Sequence, residues 1–598
     1  MALLRTVSPT HTEVRVFDVF VNKRNLYELT LHSSLSTAMV EIFCKNTKKN
    51  QKFAYGTKLL QIYDAFQPNL TYKPLCAVVN NQIEGLTHRV FSSKQVEFLD
   101  ITNQFARKVY MRSMTFVLYK AIEDLFPGTQ LIVEAPVSKG YFFLLKKAVS
   151  SPSEKKGTEH VEVTLEMVQQ LRQRMREIVA EGHRFTRLEA PTEQVAALFR
   201  ERGLERKAML VEGLGTLYCY YYQLCDTYDY YYGPLVPSTD YLTDFDLVKY
   251  YDGLLLRVPR ENGKLPEIVK QEKMLLAYRA AHKIEEHVGM TSVAELNELT
   301  RKGLDGAAIK VAEALQEKQI SRIADQIAER GDVKVVLIAG PSSSGKTTFS
   351  KRLSVQLMAC GLMPVALSLD DYFIDRELTP RDETGDYDFE HIESLNLPLF
   401  NQQLNQLLRG EEVELPRYNF AEGKSEASGR RLQLAPNTIL ILEGIHALNP
   451  LLSADVPEAA KFRIYVSALT SIKLDNHNYV PTSANRLIRR IVRDHKYRGS
   501  SAQQTLARWA SVRRGEDRWI FPFQENADVM FNSALFYELA VLRDEALPLL
   551  ETVHENCEEH IMSSALFRFL RYFEPISAKE LPPTSLLREF LGGSSFHY

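Results

Sequence analysis

One stretch constrains this chain more than any other: GPSSSGKTT, Gly340 to Thr348. It matches the pattern GxxxxGK[ST], and its flanks supply the context the pattern needs. Lys334–Ala339 (KVVLIA) reads as a buried strand before it, and Phe349–Ala359 as a helix after it. The spacing therefore predicts a loop in which Gly340, Pro341, Ser342, Ser343, Ser344, Gly345, Lys346, Thr347 and Thr348 surround nucleotide phosphates. Backbone N–H groups close around phosphate oxygens, and the helix N-terminus adds partial positive charge. Lys346 is expected at the β- and γ-phosphates, and Thr347 at Mg²⁺. A chance match in a Gly/Ser turn is the competing reading, and the strand and helix on either side argue against it.

The loop implies a nucleotide but no particular reaction; the next strands carry that. Met363–Leu369 leads into Asp370, Asp371, Tyr372 and Phe373. In such folds the C-terminal strand ends face the ligand. A carboxylate there can accept a hydroxyl proton, although an Asp after a strand also serves as a helix N-cap. A further strand, Thr438–Leu442, ends in Glu443-Gly444, where an acidic side chain can hold Mg²⁺. Guanine-nucleotide switching fits poorly: no NKxD follows the loop, and the DxxG at Asp382 sits in a polar turn.

At 598 residues the chain has room for roughly three to five domains, and several cores. Lys plus Arg total 73 and Asp plus Glu 75, a net charge of −2, which excludes a global basic coat for nucleic acid or membrane. Six cysteines without CxxC spacing suit a reducing compartment. The start, MALLRTVSPTHTE, lacks an apolar core for a secretory signal, and the apolar runs are far shorter than the roughly 20 residues of a membrane span. We expect a cytoplasmic protein with no membrane partner; homo-oligomer formation stays open.

The patterning divides the chain at about residues 103, 262, 331 and 555. Residues 1–103 read as short strands with turns, among them Val14–Val21 and Pro74–Val79. Residues 104–262 mix helix and strand, with an amphipathic helix over Thr164–Glu181 and an exposed loop at Ser150–His160. Residues 263–331 read as a helical connector ended by Gly331-Asp332. From 332 to 555 buried-type strands alternate with helices, predicting an α/β fold with a parallel sheet. Residues 556–598 form a tail whose Leu586, Leu587, Phe590 and Leu591 make an apolar face that docks on the body or on a partner.

Four motifs then occur in order: GPSSSGKTT, SLDDYF, LPRYNF and LEGIHAL. Over about residues 333–550 the chain resembles the uridine kinase and phosphoribulokinase family of phosphate-loop kinases. The resemblance implies an ATP- and Mg²⁺-dependent kinase acting on a small-molecule acceptor. It places Asp370 as the catalytic carboxylate, with Asp371 beside it, Glu443 and Thr347 at the metal, Glu390 on the hydroxyls of a ribose, and Tyr418 near the base. Where uridine kinases carry a pyrimidine-reading histidine, this chain has Gly423. The arginines Arg486, Arg489, Arg490, Arg493 and Arg498 follow. The resemblance makes them a phosphate-clamping lid, with Arg490 catalytic and Arg486 at the substrate; an RNA-binding stripe or a solvated face are the other readings.

The front half resembles the N-terminal part of threonyl-tRNA synthetase. Tyr55–Leu86 is similar to the small β-grasp domain called TGS. Leu125–Phe143 and Tyr230–Asp240 are similar to the editing-type domain shared with alanyl-tRNA synthetase. The metal-ligand positions of that domain fall on Arg112, Phe116, Tyr231 and Leu235, a set unsuited to Zn²⁺, so metal-dependent deacylation is not expected. The tyrosines from Tyr218 to Tyr232 offer stacking surfaces for RNA or a nucleoside, or alternate between core and surface along strands. The expected function is phosphorylation of a primary hydroxyl, foremost the 5′-hydroxyl of a nucleoside. The alternatives are a sugar phosphate or pantothenate as acceptor, or an RNA-associated protein switched by ATP.

Overall fold

A computed structural model describes residues 38–149, 157–383 and 385–597. The strand expected at Val14–Val21 and most of the loop expected at Ser150–His160 lie outside them. The end of that loop departs from expectation: Gly157–His160 is a strand, paired antiparallel with the end of Gly140–Val149.

The first unit is a five-stranded sheet in the order Lys49–Ala54, Met39–Cys44, Lys94–Leu99, Cys76–Val79, Gln82–Glu84. Met39–Cys44 and Lys94–Leu99 run parallel, and the other pairs are antiparallel. The helix Leu59–Phe66 buries Leu59 and Ile62 in the same core. Asn80 and Asn81 take the left-handed backbone of the tight turn between the last two strands, as their side chains tolerate.

The second unit is built around the long helix Gln104–Leu125, packed against a five-stranded sheet and a three-stranded one. The helix predicted from its pattern spans Leu165–Glu181. Thr164 caps it by accepting from the Met167 N–H, and Gly182 ends it in left-handed backbone. The tyrosine-rich strand Tyr218–Leu224 packs inward through Tyr222, while Tyr230 and Tyr231 are buried; Tyr218 is exposed. Phe116 and Tyr231 pack with ring centroids 5.7 Å apart, and the Arg112 guanidinium lies 5.6 Å from the Tyr232 ring. Three helices, Glu272–Val288, Val293–Arg301 and Asp305–Arg330, lead into the C-terminal unit.

That unit holds an all-parallel sheet in the order Met363–Ser368, Thr438–Glu443, Val335–Ala339, Lys461–Ser467, Val529–Asn532. Every residue of Val335–Ala339 is buried, as a strand covered on both faces requires. Helices Lys346–Ala359 and Asp305–Arg330 cover one face through Phe349, Leu353, Leu357, Ile320, Ile323 and Ile327. The other face packs against the helix Leu397–Leu408. An antiparallel hairpin, Val413–Asn419 with Lys424–Leu432, projects beside the sheet.

The units are joined by a polar plug. Residues 469–481, between the fourth strand and the helix Thr482–Arg498, insert into the second unit. Asn476 O accepts from the Val133 N–H at 2.8 Å, and Lys473 Nζ meets Glu134 at 2.7 Å. Asn478 Nδ2 donates to Tyr230 O at 2.9 Å. His477 Nδ1 lies 2.7 Å from Asp229, which also pairs with the buried Lys207. Burial alone would raise the Asp229 carboxyl, but His477 and Lys207 hold it well below the usual carboxylate range.

Candidate phosphate-loop site

Gly340–Thr348 connects the central strand to the helix Lys346–Ala359. Two glycines are obligatory in it. A Cβ on Gly340 would meet Val466 O at 2.0 Å, and Gly345 has φ +83°. Ser343 also takes a positive φ, so the loop turns its amides inward. The Ser343 and Ser344 hydroxyls are buried and make no hydrogen bond through Oγ. Lys346 is buried, its Nζ 3.4 Å from Pro341 O, across the mouth of the loop.

The Glu443 carboxyl faces this lysine and Asp370. Glu443, last residue of its strand, places Oε2 3.4 Å from Thr347 Oγ1. Asp370 follows the adjacent strand in the short helix Leu369–Tyr372. The cap of that helix is Ser368, whose Oγ accepts from the Asp370 N–H at 3.2 Å, so the Asp370 carboxylate is not spent on capping. Burial raises the Glu443 carboxyl, Asp370 and Glu589 raise it further, and Lys346 opposes them. Burial and Asp370 likewise raise Asp371, against Arg430 and Arg417. A hydroxyl and carboxylates around a cationic loop form a hard oxygen donor set that fits Mg²⁺ beside phosphates.

The arginine helix departs from its expected role. Arg486 is not a substrate-facing lid residue: it is buried, Glu516 takes both of its terminal nitrogens, and its Nε donates to Ser342 O at 3.0 Å. Arg489 is likewise buried, paired with Glu538 at 2.5 Å and donating to Ser533 O at 2.9 Å. The Ser533 hydroxyl donates to Ser344 O. A buried guanidinium needs a carboxylate and filled donors, and both arginines spend theirs bracing the loop from behind. Arg490 stands nearer the site, donating to the Ser342 hydroxyl at 2.9 Å and pairing with Asp494 at 3.2 Å.

Glu390 lies half-buried beside Arg490 and Asp388. Burial pushes its carboxyl up to about 7, Arg490 opposing and Glu516 and Asp388 reinforcing. Tyr418 is not the open ring beside the acceptor side: it is buried between Phe373 at 5.5 Å and Phe420 at 5.0 Å. The exposed ring there is Phe420, 55% accessible, with the Arg498 guanidinium 6.0 Å from its centroid. Gly423, with φ +74°, is covered by Arg376, whose Nη2 donates to Phe420 O at 2.7 Å. His446, in LEGIHAL, is buried and held neutral, pushed down to about 3 by burial and by His391. Phe420 and His446 lie within the motifs LPRYNF and LEGIHAL, and Arg376 lies three residues past SLDDYF, but residue type and spacing alone give none of the three a role. Two clefts elsewhere, one beside Glu205–Gly213 and one beside Asn80 and Glu555, hold none of these residues.

A parallel sheet with this loop at the end of its central strand, and acidic side chains at the ends of the neighbouring ones, defines a phosphate-loop nucleotide-binding domain. Residues 335–538 match the model of the Phosphoribulokinase / Uridine kinase family, and that region is a kinase domain of this family. A uridine kinase of Lactobacillus helveticus is 28% identical over 197 residues, covering 33% of this chain and 84% of the relative. A uridine kinase of Halobacterium salinarum is 28% identical over 195 residues, covering 32% and 77%. The solved structure of a possible uridine kinase from Bacillus stearothermophilus superposes with a TM-score of 0.24 at 19% identity, over 36% of this chain and all of that one. Among the described residues no helix is long and apolar enough to cross a membrane, and no group of three or more His, Cys, Asp or Glu side chains is arranged to hold a metal ion.

Proposed function

We propose that the chain transfers the γ-phosphoryl group of ATP to a primary hydroxyl of a small molecule, foremost the 5′-hydroxyl of a nucleoside. The observation that carries this reading is the approach of Glu443 to Thr347, with Asp370 on the adjacent strand end, around Lys346. The loop amides and Lys346 hold the phosphates, with Gly340 to Thr348 as the ATP-binding set. Thr347 and Glu443 would hold Mg²⁺, which supplies charge neutralisation on the phosphate oxygens. Asp370 accepts the proton of the acceptor hydroxyl and orients its oxygen in line. Arg490, beside the loop, balances developing negative charge. Asp371 and Glu390 border the acceptor and offer carboxylate oxygens to a vicinal diol. Tyr418 serves by fixing Phe420, which presents its face to a base.

The cations Arg376, Arg417 and Arg430 near the hairpin favour a second reading, a phosphorylated acceptor such as a sugar phosphate. The front half we read as a TGS-like unit over residues 1–103 and an editing-like unit over 104–262, whose former metal positions now hold packed side chains. An effector or RNA ligand for that half, a homo-oligomer and a cytoplasmic setting belong to the same proposal. The assignment of Asp370 is tested by Asp370→Asn. Turnover should fall by a factor of about 10²–10⁴, the usual contribution of a general base, with ATP affinity held. Unchanged turnover would remove Asp370 from the mechanism.

A further inference from the structure

The C-terminal segment lies on the phosphate loop itself. Leu586 is fully buried against Gly345, so that a Cβ on the glycine would meet Leu586 Cδ2 at 2.0 Å. Glu589, in the short helix Arg588–Leu591, places Oε2 2.7 Å from Thr348 Oγ1 and 3.3 Å from Thr348 N. Thr348 is in the first turn of the loop helix, where a carboxylate complements the positive end of the helix. Gly345, at the N-cap, makes no side-chain cap hydrogen bond. The Glu589 carboxylate therefore fills the anion position that the loop geometry creates.

The segment is tied down on both sides of this contact. The Arg489 guanidinium lies 5.2 Å from the Phe590 ring, and Lys496 Nζ donates to Leu591 O. Ser585 Oγ donates to Glu313, and Arg588 donates to Leu581 O at 2.8 Å. The first two contacts come from the arginine helix that braces the loop, the third from the helix Asp305–Arg330, and the last lies within the segment itself. A carboxylate at this point also adds negative charge to a pocket that already contains Glu443 and Asp370, which opposes the entry of a triphosphate.

Resting on the kinase reading above, we propose that the C-terminal strap is a built-in competitor of ATP: Glu589 occupies the anion position at the start of the loop helix that a nucleotide phosphate takes, and nucleotide binding displaces it. The strap thereby sets nucleotide affinity and links occupancy of the loop to the Thr482–Arg498 helix, on which Lys496 and Arg489 hold it. Binding energy spent on expelling Glu589 is recovered when the strap is neutralised or withdrawn, so apparent ATP affinity rises with the fraction of strap-free protein.

The test uses the full chain. ATP binding without acceptor is titrated calorimetrically for the wild type, Glu589→Gln and Glu589→Ala. Amide hydrogen exchange of the wild type is followed with and without ATP, a readout that needs no variant to fold. Both variants should bind ATP more tightly, Glu589→Ala by about tenfold, equivalent to about 1.4 kcal/mol. ATP should also accelerate exchange over residues 586–592. If the wild type binds ATP but the variants bind it equally or more weakly, or if ATP leaves the strap amides as protected as before, the strap is a prop and the proposal falls while the kinase reading stands. If no form binds ATP, both fall together.

Discussion

Replacing Glu516 by Gln tests whether the arginine helix is a brace rather than a lid. The Arg486 guanidinium is 1% exposed and the Glu516 carboxylate 0%. Three donors of Arg486 are spent, two on Glu516 and one on Ser342 O, and Glu516 also accepts from Arg513 at 2.9 Å. Gln keeps the shape but strands a buried cation, and breaking a buried pair in this way costs about 3–5 kcal/mol. The loss should appear locally, as faster amide exchange over residues 340–348 and weaker ATP binding. A chain of several units has no single two-state unfolding energy, so the local readout is the relevant one. The pair Arg486→Met with Glu516→Leu removes both charges and should recover stability without recovering ATP affinity, because the donation to Ser342 O is gone. The pH dependence has a definite sign. Burial raises the Glu516 carboxyl, Arg486 and Arg513 outweigh it, and the folded value ends below the usual one. Its contribution is thus complete above the ordinary carboxylate range and is lost as the pH falls through the depressed folded value. A Glu516→Gln variant whose loop amides lose less than about 1 kcal/mol of protection, a surface pair's worth, would refute the brace.

Other consequences follow from the acceptor side. Burial pushes Glu390 up to about 7, so its ionised, hydroxyl-accepting form grows in as the pH rises through neutrality. kcat/KM for the acceptor should therefore increase from about pH 6 to about pH 8, and Glu390→Gln should flatten that limb of the profile. Phe420→Ala should weaken a base-bearing acceptor by about 1–3 kcal/mol, read as a raised KM, with little effect on melting. Tyr418→Ala, at a buried ring, should instead destabilise the fold, by about 3–5 kcal/mol in local unfolding.

Local pattern carried the parts of the molecule that local physics decides. The buried run Val335–Ala339, the loop glycines and the helix capped by Thr164 stand where spacing put them, because each depends on residues within a turn or two. The arginines show where such reading ends. Spacing placed Arg486, Arg489, Arg490 and Arg493 on one side of a helix, but the burial of Arg486 and Arg489 depends on Glu516 and Glu538, 30 and 49 residues further on. Tyr418 and Phe420 are two residues apart on one hairpin, and nothing in PRYNF says which ring faces solvent; Phe373 decides it by packing on Tyr418. The plug of residues 469–481 and the strap at Glu589 are contacts across hundreds of positions, from Glu589 to Thr348 among them. Periodicity could mark the strap as apolar but could not say that it lies on the loop.

The most direct test of the account is ATP-to-ADP turnover with Mg²⁺ against a panel of acceptors, namely the common nucleosides, pantothenate and ribulose 5-phosphate, with Asp370→Asn as control. The account predicts turnover that depends on one acceptor, foremost a nucleoside, and collapses in the variant. Slow hydrolysis that no acceptor stimulates, equal in wild type and variant, would contradict it.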